Sequence, residues 1–396
     1  MQPRAPRPPI WALVLVTTMS PLALNIFLPS MPSMAKDFAV PTAAIQPALS
    51  LYFFGVAIGQ LIYGPISDRV GRRPVLLFGT VVFALTNVFL VITPNVEGLI
   101  WGRAAQAFGG CSGMVLTRAI VRDVYDKTRA ASAMGYITTA MVVAPALAPW
   151  LGAMMDVAFG WRASFAFLAV YSALLLPLIA RYIGETNISP IPRIDSLSIV
   201  RNYGFLLRAP VFRAYLIAIS FGAMSFFAFV AGAPHVVEDI LGGTPVDYAQ
   251  YFLLPAGGYM AGSFIAGRYA RRLGLHRMLR IGAGLMATGA ILVLGQGLWG
   301  ASYLGLFGPV ALVSLGSGLV YPPATAGALS VRPQIAGAAS GLLGFSPLFL
   351  STGLSEVIGR SFAFGPWPFF ALYAASCLIS VLASHYALRL ERRAAG

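Results

Sequence analysis

Apolar runs about one bilayer thick recur along nearly the whole chain, and that recurrence constrains the fold more than any single motif does. A helix that crosses a membrane needs about 20 mostly apolar residues. Runs of that kind fall near 10–33, 44–66, 74–93, 98–120, 131–154 and 161–183. A second set lies near 210–235, 246–268, 278–299, 302–328, 336–357 and 366–388. Gly184–Ala209 separates the two sets; it is the longest polar stretch and carries Glu185, Pro190, Pro192, Arg193, Asp195 and Arg201. A soluble reading fails on composition. Of 396 residues, 58% are hydrophobic and only 10% are charged, whereas a soluble domain carries roughly 25% charged residues.

The net charge of +14 would suggest nucleic acid as a partner in a soluble protein. Its distribution gives it another meaning. Alternating inter-helix segments collect 23 of the 27 basic residues, among them Arg69, Arg72 and Arg73, the group from Arg118 to Arg129, and Arg389, Arg392 and Arg393. The opposite segments hold Lys36, Arg162 and Arg360, and Arg103 remains inside the fourth run. Lys and Arg accumulate on the cytoplasmic side of membrane proteins, so the split places both termini in the cytoplasm. The expectation is an all-α integral membrane protein with twelve transmembrane helices. A six-helix bundle spans 1–183, a cytoplasmic linker 184–209 and a second six-helix bundle 210–396. No nucleic acid partner is implied. Cys111 and Cys377 both lie in apolar runs, which argues against a disulfide.

The halves repeat. Gly55–Gly79 and Gly258–Gly282 align without a gap at an offset of 203, with eight identities. These are Gly55/Gly258, Gly59/Gly262, Ile62/Ile265, Gly64/Gly267, Arg69/Arg272, Gly71/Gly274, Leu76/Leu279 and Gly79/Gly282. An even helix count per half inserts both copies in the same orientation. Parallel repeats of this kind build transporters whose substrate binds between the halves, near the middle of the membrane.

Several short motifs lie on this frame. Gly64–Pro74 reads GPISDRVGRRP between the second and third runs. Arg103, Gln106 and Gly109 recur at helical spacing in the fourth. Pro145, Pro149 and Gly152 punctuate the fifth, and Asn25 stands between Pro21 and Pro29 in the first. Together they resemble the major facilitator superfamily. The first resembles its signature loop, the second its fourth-helix arginine motif, and the third the proline–glycine motif of its drug/proton antiporters. Asn25–Pro32 and Val121–Tyr125 resemble the Bcr/CflA drug-resistance branch. In that branch the first-helix motif carries an acid where this chain has Asn25. The resemblance implies the major facilitator fold and an antiporter that exports drugs across a bacterial inner membrane as a monomer. No cofactor is implied; the proton gradient supplies the energy.

The residues carry physical expectations of their own. Gly64 and Gly71 permit close approach and a tight turn. Asp68 can pair with a neighbouring base or cap a helix, and Arg72 can reach Asp123. With Arg69 and Arg73 these residues read as a conformational latch, because arginines alone would satisfy topology. Arg103 is an intramembrane charge, which costs about 2.5–3.5 kcal/mol on insertion scales and marks a functional site by default. The alternative is a side chain that snorkels to the outer surface. Substrate and coupling candidates are Asn25, Arg103, Gln106, Tyr52, Tyr136, Phe226 and Tyr321. Pro145, Pro149 and Gly152 are candidate flex points, since prolines inside a span free backbone carbonyls.

No Asp or Glu lies in the middle of any run; Asp37, Asp156 and Glu356 stand near outer ends, as does His235 with Glu238 and Asp239. The residues thus show no proton carrier, and the resemblance carries the expectation of a secondary transporter of small hydrophobic or amphiphilic compounds, coupled to protons. A transporter of an ordinary metabolite is the alternative, favoured by Asn25. A membrane enzyme lacks a catalytic constellation, and an ATP-driven pump lacks the phosphate-binding G-x-x-x-x-G-K-[ST] pattern.

Overall fold

The computed structural model describes residues 7–41, 44–187, 196–243, 245–300, 302–361 and 365–395. Among them the fold is helical throughout. In chain order the helices are α1 (Ile10–Ile26), α2 (Met31–Asp37), α3 (Gln46–Val70), α4 (Arg72–Ile92), α5 (Val96–Val124), α6 (Lys127–Phe159) and α7 (Arg162–Tyr182). They continue as α8 (Ser196–Arg208), α9 (Pro210–His235), α10 (Pro245–Leu273), α11 (Leu275–Trp299), α12 (Tyr303–Ser330), α13 (Ala336–Ser361) and α14 (Trp367–Ala395). Part of the predicted linker is thus the helix α8; Pro190, Pro192, Arg193 and Asp195 lie outside the described residues.

Ten helices among the described residues are long and apolar enough to cross a membrane. Helices α5 and α10, of 29 residues each, are long enough but fall outside that set. The reason for α5 is visible in its sequence, which carries Arg103, Arg118, Arg122 and Asp123 with four glycines between Gly102 and Gly113. Two of these charges face inward: Arg103 and Arg118 are both buried. The outward faces are apolar instead. On α4, Phe78, Val81, Leu85, Phe89 and Ile92 follow helical spacing, and Leu85 and Ile92 are 66% and 72% exposed. Such a stripe marks a surface made to meet an apolar partner, and in a membrane helix lipid supplies it.

Contacts divide the chain into two compact units. One comprises 1–124, 140–202 and 333–342; the other comprises 125–139, 203–332 and 343–396. The N-terminal end of α6 thus belongs to the second unit, and the first turns of α13 belong to the first.

Within each unit the repeat builds the same helix crossings. In the first, a Cβ at Gly55 would strike the Ala104 carbonyl, and one at Gly79 would strike Ser112 and the Gly109 carbonyl. In the second, a Cβ at Gly258 would strike the Ala311 carbonyl and one at Gly282 the Gly316 carbonyl. Glycine is present because backbone lies against backbone. The turns repeat too. Gly71 separates α3 from α4 at φ +110° and Gly274 separates α10 from α11 at φ +74°, conformations that L side chains rarely adopt.

Candidate functional site

At the junction of α3 and α4, Asp68 is 1% exposed and Arg72 is 2% exposed. A buried carboxylate needs hydrogen-bond donors to offset the loss of water, and here three donors reach it. Arg72 Nη1 donates to Asp68 Oδ1 at 2.6 Å. The backbone N–H of Gly337 donates to Oδ1 at 2.9 Å and that of Ala338 to Oδ2 at 3.0 Å. These are two of the N–H groups that the first turn of α13 leaves without an intrahelical acceptor. Asp68 therefore caps α13 from α3, 269 residues away in sequence. Capping of this kind contributes about 1 kcal/mol, and the helix dipole adds to it. Gly64, one turn before Asp68, sits backbone to backbone on Gly337. Ser340 Oγ then ties α13 to the Val115 carbonyl of α5 at 2.8 Å.

Arg72 bridges onward. Its Nε donates to Asp123 Oδ2 at 2.9 Å, and Nη1 also donates to Ser67 Oγ at 2.7 Å. The structure thus brings together Gly64, Asp68, Gly71, Arg72 and Asp123. Arg73 lies beside them but turns its Nη2 to the Ala180 carbonyl at 2.7 Å. Arg69, in the last turn of α3, is exposed.

Two residues of this assembly were not legible from the motifs. Glu185, after α7, accepts the backbone N–H of Arg72 on Oε1 at 2.9 Å and of Arg73 on Oε2 at 3.2 Å. It caps α4 as Asp68 caps α13. Asn187 Nδ2 donates to the Asp68 carbonyl at 2.8 Å. In the sequence both fall within the polar stretch Gly184–Ala209. A usable signal was present: an acid just past the last helix of a half, facing that half's basic loop. The second unit carries the counterpart. Glu391, near the end of α14, accepts from Lys127 at the start of α6, and His276 Nε2 lies 3.1 Å from its other oxygen.

A second site surrounds Arg103, which is wholly buried. Its Nη1 donates to the Ala23 carbonyl of α1 at 3.0 Å and to Gln106 Oε1. Gln106 Nε2 donates to Asn87 Oδ1 of α4 at 2.6 Å. The guanidinium carbon lies 4.3 Å from the Phe27 ring centre and 4.1 Å from that of Tyr52, within the range of cation–π attraction. The Tyr52 hydroxyl is occupied elsewhere, donating to the Ser20 carbonyl at 2.8 Å. Arg103, Gln106 and Tyr52 therefore form one cluster. Asn25 does not join it: its amide donates back to the Pro21 carbonyl of its own helix at 2.7 Å.

The remaining candidates are placed separately. Tyr136 meets Phe264 edge-on with ring centres 6.1 Å apart, and Phe226 meets Phe252 at 6.2 Å. Tyr321 is half-buried in α12. Pro145 and Pro149 lie inside α6, and a Cβ at Gly152 would strike the Ile26 carbonyl. His235 ends α9 at an exposed position; the side chains of Glu238, Asp239 and Glu356 lie outside the described residues.

A membrane-spanning helical chain with duplicated halves, a capped loop between its second and third long helices and a buried arginine defines the class. The sequence profile of the Major Facilitator Superfamily matches residues 13–355, and the chain belongs to that family of transporters. It is 33% identical over 340 residues to multidrug resistance protein D of Escherichia coli K12, covering 84% of this chain and 83% of that one. It is 31% identical over 320 residues to a chloramphenicol resistance protein of Pseudomonas aeruginosa, covering 80% and 75%. Its fold matches the crystal structure of the family transporter FucP with a TM-score of 0.76, at 14% identity, over 96% of this chain and 98% of that one.

Proposed function

We propose that this protein exports small hydrophobic or amphiphilic drug-like compounds across the cytoplasmic membrane of a bacterium, in exchange for protons. In this reading the chain is a monomer with twelve spans and both termini in the cytoplasm. The observation that carries the reading is the 33% identity to a multidrug resistance protein across 84% of the chain. The latch supports it. Asp68, Arg72, Asp123, Glu185 and the start of α13 form one closed network, and transport proceeds by breaking and remaking it. Proline-bearing α6 supplies flexibility, with Pro145 and Pro149 as its flex points. Aromatic side chains at Tyr52, Tyr136, Phe226 and Tyr321 suit a cargo with an apolar body.

Accumulation in a bacterium stripped of its own exporters tests the cargo. Expression of the protein is expected to lower the steady-state level of chloramphenicol or a lipophilic dye several-fold, and a protonophore to restore it. Unchanged drug levels, with altered uptake of a sugar or amino acid, would establish the metabolite reading that Asn25 favours.

A further inference from the structure

The environment of Arg103 is complete except on one edge. A guanidinium has five N–H donors. Those on Nη1 are committed to the Ala23 carbonyl and Gln106 Oε1, and the guanidinium carbon lies over the Phe27 and Tyr52 rings. Nε and Nη2 have no acceptor although both are buried. Among the described residues no carboxylate pairs with this arginine.

The surrounding polar groups leave that edge without an acceptor. Asn87 Oδ1 receives Gln106 at 2.6 Å and the Ser20 carbonyl receives the Tyr52 hydroxyl at 2.8 Å. Asn25, where a relative of the drug-resistance branch would carry an acid, is turned onto Pro21. A buried cation without a counter-charge is costly. Seven residues from the start of α5, it stands about 10 Å along the helix. Its wholly buried state also excludes escape to the outer surface. The unpaired edge has a particular shape. Nε–H and the nearer Nη2–H project side by side, and that parallel pair is the fork which binds both oxygens of a carboxylate.

We propose that Arg103 takes its counter-charge from the cargo, and that the protein's substrates include amphiphilic organic anions: an aromatic or aliphatic body bearing a carboxylate or a comparable group. Phe27 and Tyr52 hold the guanidinium in place while Gln106 and Asn87 fix its rotation, so the Nε–Nη2 edge is presented ready-made. This rests on the export reading above and specifies its substrate class.

The test compares 2-naphthoate with 2-naphthamide, which differ in charge and hardly in shape, as ligands of the purified full-length protein in lipid nanodiscs at neutral pH. The naphthoate is expected to bind at least about tenfold more tightly, the lower end of what charge-assisted hydrogen bonds contribute. In Arg103→Met that preference should fall to within about twofold, and Arg103→Lys, a charge without the fork, should lie between. Equal affinity in the native protein overturns the proposal whether or not the variants fold, and so does binding of neither compound at millimolar concentration. Retained preference in Arg103→Met overturns it as well. A protein that lowers chloramphenicol accumulation yet shows no preference for the anion keeps the export reading and loses only this substrate class.

Discussion

Asp68→Asn is expected to reduce drug export at least about tenfold while the protein still inserts in the membrane at its normal level. The substitution keeps the shape and removes the charge. An amide offers one acceptor oxygen, so only one of the Gly337 and Ala338 N–H groups retains its bond. The other meets an NH2 group, donor against donor. Arg72, 2% exposed, loses one of its two carboxylates and keeps Asp123. Removing one partner of a buried ion pair costs about 3–5 kcal/mol. A bias of even 3 kcal/mol moves a two-state equilibrium by more than about a hundredfold. The measurement is the initial efflux rate at matched protein level, joined to the labelling of Ser340→Cys by a membrane-impermeant maleimide from the cytoplasmic side. Ser340 is buried and bonded to the Val115 carbonyl, and the native thiols Cys111 and Cys377 are buried. Labelling should therefore be slow with Asp68 present and fast in Asp68→Asn. Native transport together with slow labelling would contradict the latch.

Arg103→Ala is expected to abolish transport, a loss of about a hundredfold or more, with insertion intact. Charge-assisted hydrogen bonds each contribute about 1.5–3 kcal/mol, and the Nε–Nη2 fork can make two. The variant also distinguishes function from packing. Truncation leaves the Ala23 carbonyl and Gln106 Oε1 without their donor and opens a space between Phe27 and Tyr52. It also removes an uncompensated charge, and these opposing effects leave stability near its native value. Thermal unfolding followed beside transport separates the two roles. A collapse in stability parallel to the loss of transport, with no partial rescue by Arg103→Lys, would make Arg103 a packing residue.

Much of this architecture was legible because it rests on local patterns. Apolar runs of bilayer length give the helices, and glycines at Gly55, Gly59 and Gly64 with their copies 203 residues on give the crossings. Asp68 and Arg72 are only four residues apart, but α3 ends at Val70 and α4 begins at Arg72, so their pairing depends on the Gly71 turn between them. The cap on α13 was legible only as a capacity of Asp68, since nothing local says which helix end it meets. Glu185 was hidden for the same reason: its partners lie more than 100 residues away and are backbone N–H groups, which leave no trace in residue identity. The sequence marked Arg103 as costly and Gln106 as its helical neighbour. It did not reveal that the guanidinium lies over the Phe27 and Tyr52 rings or that Asn25 turns away. Those facts depend on how α1 and α3 pack against α5, and hydropathy carries no record of that.

Proton-driven export is tested most directly in everted membrane vesicles. Respiration acidifies their interior, and a drug taken up in exchange for protons dissipates the gradient. Vesicles containing the native protein should lose part of an imposed pH difference on addition of chloramphenicol or an amphiphilic anion, and vesicles containing Asp68→Asn should keep it. A gradient that stays intact with every compound the protein is seen to move would contradict proton exchange.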